Sequence, residues 1–260
     1  MFKRVVVPIG RDKEGERAIP IAAALADRAQ VPVELVTVVE PIEKGRAEAT
    51  LRELVDGRRG FAGQVIETGG PAEAAFLAEL HGGEPSLWCV GSHARTALGE
   101  IIFGSLSEEF VRQAHSPVML VGPRVDTAPK GDVLVLALDG NVRSESLVPD
   151  ASNLASRLGM TVRLLHVAPE RSGVFHSDIS ETGYLARVAR RMKRGDLDFE
   201  VIHAGDVAHG LTDYAAREPT VGMLALSSRG LKGVARLLHG GTAFDVARTA
   251  AVPVLILHTV

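Results

Sequence analysis

Two stretches of the chain place small residues where a phosphate could be received. The first reads Gly91, Ser92, His93, Ala94, then nine residues from Arg95 to Phe103, then Gly104 and Ser105. The second reads Ser227, Ser228, Arg229, Gly230, then nine residues from Leu231 to His239, then Gly240, Gly241 and Thr242. Glycine lets backbone amides approach an anion closely, and a following helix adds unpaired N–H groups and the positive end of its dipole. Ser105 or Thr242 could add a hydroxyl donor. His93 and Arg229 fall at one position of the two stretches, where a cation pairs with a phosphate or stays a solvated loop charge. Ser92 and Ser228 have no recognisable base partner, so neither reads as a nucleophile. The chain has no lysine-bearing G-x-x-x-x-G-K-[ST] loop, and Asp139 is the acid closest in kind to what Mg²⁺ would need.

Such loops need strands to aim them. Val5–Ile9 is a continuous apolar run of the sort buried on both faces of a parallel sheet. A helix is expected from Glu16 to Gln30, a strand over Val33–Val39, a helix over Ala47–Val55 and a strand over Gln64–Glu67. Pro71 suits the first position of a helix over Ala72–Leu80. Leu87–Val90 and Val118–Val121 complete five strands separated by helices. After a polar linker, Asp126–Gly131, the programme repeats. Strands are expected at Val133–Leu138, Val162–Val167, Glu200–His203, Met223–Leu226 and Val254–Leu257, and helices at Leu147–Leu158, Tyr184–Lys193, Ala208–Arg217 and Gly241–Ala250. Alternating strands and helices imply right-handed crossovers and a parallel sheet covered on both faces, so the expected class is α/β in two domains, 1–126 and 131–260.

The repeat has a fixed spacing. Gly10 and Asp139 are 129 residues apart, as are Val38 and Val167. Gly69 and Gly205, Gly104 and Gly240, Arg112 and Arg248, and Pro117 and Pro253 are each 136 apart. The difference of seven places an insertion between Ala168 and Glu200 in the second copy. In an open parallel sheet ligands bind beyond the carboxyl ends of the strands, where the strand order reverses. The candidate binding positions are therefore Pro8, Gly10, Val38, Val90, Gly91, His93, Ala94, Gly104 and Ser105 in the first copy. In the second they are Asp139, Val167, Leu226, Ser227, Arg229, Gly230, Gly240, Gly241 and Thr242. His166, in an apolar strand, reads as a hydrogen-bonded core histidine. Arg112 and Arg248 read as helix-face residues. His115, His209 and His239 lack metal-site spacing.

Composition narrows the partners. Over 260 residues, 46% are hydrophobic and 23% charged, with a net charge of −3, so no basic field attracts nucleic acid. The single cysteine, Cys89, lies in an apolar run and suits a reducing compartment. The apolar run before Gly10 is too short for a signal peptide, and none approaches the roughly 18 residues of a membrane span. A cytoplasmic location without membrane or nucleic-acid partners is expected.

At this point the sequence resembles the universal stress protein family over nearly its whole length, as two tandem domains. The signature of that family is glycine, two residues, glycine, nine residues, glycine and a small hydroxyl residue. The flanking texture, GSLSEEFVRQAHSPVMLV and GGTAFDVARTAAVPVLIL, carries the resemblance further than the glycines. It implies two Rossmann-like, adenine nucleotide alpha hydrolase-like domains, each a five-stranded parallel sheet. It also implies ATP, with Mg²⁺, as the ligand of a stress-response regulatory protein that is not an enzyme. By the same resemblance Val38 or Val167 borders adenine, Asp139 lies at the ribose end, and Gly230, Gly240, Gly241 and Thr242 meet the phosphates. The last strands of the two domains would pair as an internal pseudo-dimer, with a further homodimer open. Both copies depart from the signature. The first has Gly10 where the ATP-binding form has aspartate, and Ala94 for the second glycine, which would cost on the order of 1 kcal/mol if that position needs a positive φ. The second keeps Asp139 but has Ser227 for the first glycine and Gly241 for the hydroxyl residue. Two other readings stand beside ATP binding: a regulatory or protein-interaction module with degenerate sites, and a nucleotide-hydrolysing or adenylyl-transferring enzyme, which fold alone does not establish.

Overall fold

The structure is a computed structural model, and it describes residues 2–10, 15–95, 101–102, 105–126, 128, 130–170, 179–191, 197–228 and 241–258. Two compact units divide the chain, unit 1 over Met1–Ala128 and unit 2 over Pro129–Val260.

Unit 1 runs β1 (Arg4–Pro8), α1 (Ala18–Ala29), β2 (Val33–Val39), α2 (Lys44–Val55), β3 (Phe61–Glu67), α3 (Ala72–Gly82) and β4 (Ser86–Gly91). It continues through the short strands β5 (His93–Arg95) and β6 (Ile101–Ile102), then α4 (Ser105–Gln113) and β7 (Val118–Val121). The sheet order is β3-β2-β1-β4-β7, with every pairing parallel. The chain steps outward from β1 to β3 and returns to the far side of β1 at β4. Right-handed crossovers therefore put α1 and α2 on one face and α3 and α4 on the other. The valines of β1 are wholly buried, as the unbroken apolar run requires of a strand covered on both sides. Trp88 of β4 packs on Phe110 of α4 at 4.9 Å between ring centroids, and Phe76 of α3 meets Phe110 edge-on at 6.3 Å. Burying a side chain of this size stabilises a fold by roughly 1.5–3 kcal/mol. Pro71 stands one residue ahead of its expected place, as the residue preceding α3, with ψ 132° outside the helical range.

Unit 2 runs β8 (Val133–Ala137), α5 (Val142–Glu145), α6 (Val148–Arg157), β9 (Thr161–Pro169), α7 (Ile179–Arg191), β10 (Asp198–Ala204), α8 (Val207–Arg217), β11 (Val221–Ser228), α9 (Thr242–Thr249) and β12 (Val254–His258). Its sheet order, β10-β9-β8-β11-β12, is again all parallel. The register repeats as the sequence offsets require. Val5 pairs Val33, and Leu134 pairs Val162; Val6 pairs Trp88, and Val135 pairs Leu224. Trp88 pairs Val118, and Leu224 pairs Val254. Between β2 and β3 lie residues 40–60, and between β9 and β10 residues 170–197, which is 21 against 28 and locates the seven-residue insertion around α7.

At the amino end of the unit 2 sheet two backbones nearly touch. A β-carbon on Gly131 would lie 2.2 Å from the Thr220 carbonyl oxygen, and one on Gly222 would lie 2.4 Å from the Gly131 oxygen. Gly222 is the residue skipped where β11 shifts register against β8, so a bulge and a close approach coincide. Among the described residues no helix is long and apolar enough to cross a membrane.

Candidate functional site

Strand order reverses between β1 and β4 in unit 1 and between β8 and β11 in unit 2, so each crevice opens at the carboxyl ends of those strands. In unit 1 Pro8 is level with Val36, and continuing that register brings Gly10 beside Val38 and Pro8 beside Val90. Pro8, Val90 and Gly91 are buried, Val38 is half-buried and Gly10 is exposed. Gly15 is buried, and a β-carbon there would lie 3.1 Å from the Pro8 carbonyl oxygen. Ser92, also buried, donates its N–H to the Val121 oxygen at 2.9 Å and so extends the β4–β7 ladder.

His93 and Ala94 belong to β5, which pairs antiparallel with β6. Gln30 is the one non-glycine with positive φ among the described residues. Ser105 begins α4, as the helix-start reading expects. Gly104, Arg229, Gly230 and Gly240 lie outside the described residues.

The corresponding end of β8 carries polar chemistry. Leu138 donates its N–H to Leu165 O at 2.8 Å, and the next residue, Asp139, begins a tight turn. Asp139 Oδ1 accepts from the Asn141 N–H at 3.1 Å and from Ser144 Oγ at 2.7 Å. Asn141 Oδ1 accepts from the Arg143 N–H at 3.0 Å, capping α5. Gly140, with φ +80°, supplies the left-handed step between the two. Asp139 thus faces the crevice end as a carboxylate already oriented by a hydroxyl and an amide.

Val167 and Leu226 flank this turn on β9 and β11. Val167 is half-buried, and its Cγ1 would lie 3.3 Å from a β-carbon on Gly210 of α8. Leu226 is buried, Ser227 is half-buried and Ser228 ends β11. Gly241 precedes α9 with extended backbone (ψ 151°), and no side chain caps the helix. Thr242 is its exposed first residue, so hydroxyl and first-turn amides project at one place, a suitable anion cradle.

Several side chains behind this rim escaped the sequence reading. His166 Nδ1 donates to Leu138 O at 2.8 Å, which makes it the bonded histidine expected, and the edge of Tyr184 on α7 rests against its ring at 5.9 Å. The Tyr184 hydroxyl is buried and faces the Glu145 carboxylate at a geometry that completes no hydrogen bond. Burial, reinforced by Glu145 and Asp139, pushes its pKa up to about 12. Glu145 Oε2 is bridged by Arg191 Nη1 at 3.1 Å. A serine five residues after an aspartate and a tyrosine on the helix beside an insertion carry no periodic signal; only Asp-Gly-Asn, a turn-forming triplet, marked the place. Arg112 pairs with Glu109 on α4 and Arg248 with Asp245 at 2.8 Å on α9, both within one helix face. Cys89 is wholly buried, and burial pushes its thiol up to about 12, which leaves it inert.

Comparison with known proteins agrees with this geometry. The profile of the universal stress protein family matches residues 1–122 and again 132–258. A universal stress protein of Mycolicibacterium smegmatis is 25% identical over 289 residues, covering 97% of this chain and 96% of the relative. Among solved structures, a universal stress protein from Archaeoglobus fulgidus superposes with a TM-score of 0.78 at 16% identity, with 99% of each chain covered. A protein of unknown function from Pseudomonas aeruginosa superposes with a TM-score of 0.66 at 18% identity, over 99% of this chain and 93% of its own. With two matches to one profile and a repeated sheet register, the chain belongs to the universal stress protein family as a tandem member.

Proposed function

We propose that this protein is an adenine-nucleotide-binding regulatory module, with ATP as the ligand and unit 2 as the principal site, and that it acts by binding rather than by catalysis. The observation that carries this reading is the oriented Asp139 carboxylate at the strand-order reversal, with Val167 on the neighbouring strand and the uncapped Gly241–Thr242 helix start in the same unit. An acid accepts ribose hydroxyls, an apolar strand end suits a base, and a helix start suits phosphates. Equilibrium titration with labelled ATP is the test. Saturable binding is expected, weakened about tenfold in Asp139→Asn, equivalent to about 1.4 kcal/mol. No binding at millimolar ATP would overturn the reading.

A second reading is a regulatory or protein-interaction module that binds no nucleotide. It is favoured by unit 1, where Gly10 stands at the position that Asp139 holds in unit 2, and by the engagement of Asp139 with its own turn. Mass analysis of small molecules released when the isolated protein is denatured separates the two. A near-stoichiometric adenine nucleotide supports the first, and its absence together with a flat titration supports the second.

A further inference from the structure

Helix α7 of unit 2 lies beside the Asp139 turn and reaches it from two positions. At one end Arg191 Nη1 lies 3.1 Å from Oε2 of Glu145, the last residue of α5. Nearer its start, Tyr184 sets its ring edge-on to His166, with centroids 5.9 Å apart and planes at 69°. His166 in turn donates to the carbonyl of Leu138, the residue before Asp139, at 2.8 Å. Tyr184 and Arg191 are seven residues apart, two helical turns, so one face of α7 presents both. The Tyr184 hydroxyl, buried and completing no hydrogen bond, looks toward Glu145 and Asp139. The corresponding helix of unit 1, α2, reads KGRAEATLRELV and has no aromatic side chain at all.

We propose that α7 is a strut for the Asp139 turn, and that Tyr184 and Arg191 are positioning residues fixing where the Asp139 carboxylate stands. The consequence for nucleotide affinity rests on the ATP-binding reading, whereas the mechanical part does not. Asp139 sits in a turn of short-range hydrogen bonds with a left-handed glycine at its centre, an arrangement that opens at small cost unless something outside it holds it. α7 grips both ends of that turn, through Leu138 by way of His166 and through Glu145 directly.

Hydrogen exchange on the ligand-free full chain tests the strut, in wild type, Tyr184→Leu, Tyr184→Phe and Arg191→Gln. Exchange at residues 140–145 is expected to rise about tenfold in Tyr184→Leu and about threefold in Arg191→Gln, whose side chain is largely exposed, while peptides of unit 1 and of β11 and β12 keep wild-type rates. Tyr184→Phe keeps the ring on His166 and discards only an unbonded hydroxyl, so it should match wild type. ATP titration of the same proteins should show affinity falling roughly threefold to tenfold in the Leu and Gln variants and retained in the Phe variant. Unchanged exchange at residues 140–145 in both variants overturns the strut whatever ATP does. Exchange rising throughout unit 2 reduces Tyr184 to a core residue and overturns the positioning role, as does a local rise with unaltered ATP affinity. A local rise in a protein that binds no ATP even as wild type upholds the strut and removes the nucleotide reading.

Discussion

The ends of β1 and β8 hold the same station in two sheets of one register, yet they are furnished differently. In unit 2 Asp139 is held by Ser144 at 2.7 Å. At the same positions, 129 residues earlier, unit 1 has Gly10 and Gly15. At those two positions the acid and the hydroxyl that orients it are replaced together. Gly15 lies so close to the Pro8 carbonyl that a β-carbon would approach to 3.1 Å, tighter than an ordinary van der Waals contact. The sheets share backbone geometry because both bury the same apolar runs. The rims share little because polar side chains there answer to local hydrogen bonds, which the register does not dictate.

The largest break in the comparison is expected at Gly210. A β-carbon there would lie 2.7 Å from Ala204 Cβ and 3.3 Å from Val167 Cγ1, whereas the matching residue of unit 1, 136 earlier, is Ala74. Gly210→Val should destabilise unit 2 by roughly 1–3 kcal/mol through overpacking. Ala74→Val should cost clearly less in unit 1. Denaturant melts of the two variants check this, and equal losses would show that α3 and α8 sit equally close to their sheets.

A smaller effect is expected from exchanging the turn residues. Ser144→Gly removes the hydroxyl that holds Asp139 and should lower stability by about 1 kcal/mol. Gly15→Ser should also destabilise, because the Pro8 carbonyl must give way by a few tenths of an ångström. A stabilising Gly15→Ser would mean that the unit 1 turn still has room for the polar device.

Alkaline pH gives a further contrast, and here the units carry separate reporters. The single tryptophan, Trp88, is in unit 1 and both tyrosines, Tyr184 and Tyr214, are in unit 2. Burial raises Cys89 from its ordinary 9.0 to about 12, and burial first raises each tyrosine from 10.0 to about 12. These groups are neutral when protonated, so a raised folded pKa means that the unfolded chain releases its proton first. Their contribution is full below the unfolded values and is lost as pH climbs through the folded ones. Unit 1 should therefore begin to weaken near pH 9 and unit 2 near pH 10, both continuing toward 12. Trp88 fluorescence and tyrosinate absorbance, followed in parallel, check the order. Cys89→Ala should delay the tryptophan transition alone.

The sheets were legible in the sequence because their strands are unbroken apolar runs, and the repeat was legible because it keeps strand spacing. Val33–Val39 and Val118–Val121 fall where the pattern places them. Gln64–Glu67 was too short, since β3 begins at Phe61 with Ala62 and Gly63, an edge segment whose exposed residues break the alternation. The four-residue α5 went unseen because it owes its existence to the Asn141 cap rather than to an apolar face. At the site, residue types were readable but their partners were not. Asp139 stood out as an acid after a strand, while Ser144, Tyr184 and Arg191 acquire meaning through contacts made five to 46 residues away.

The approach of Gly131 to Thr220 and Gly222 bears on how such a chain can be lengthened or cut. With 2.2 Å and 2.4 Å separating hypothetical side chains from facing backbone, neither glycine accepts a replacement, and inserted residues must enter upstream of Gly131. A library that varies the join should find a sharp border there. Residues 126–130 should tolerate almost any polar content, and the very next position should tolerate a single amino acid.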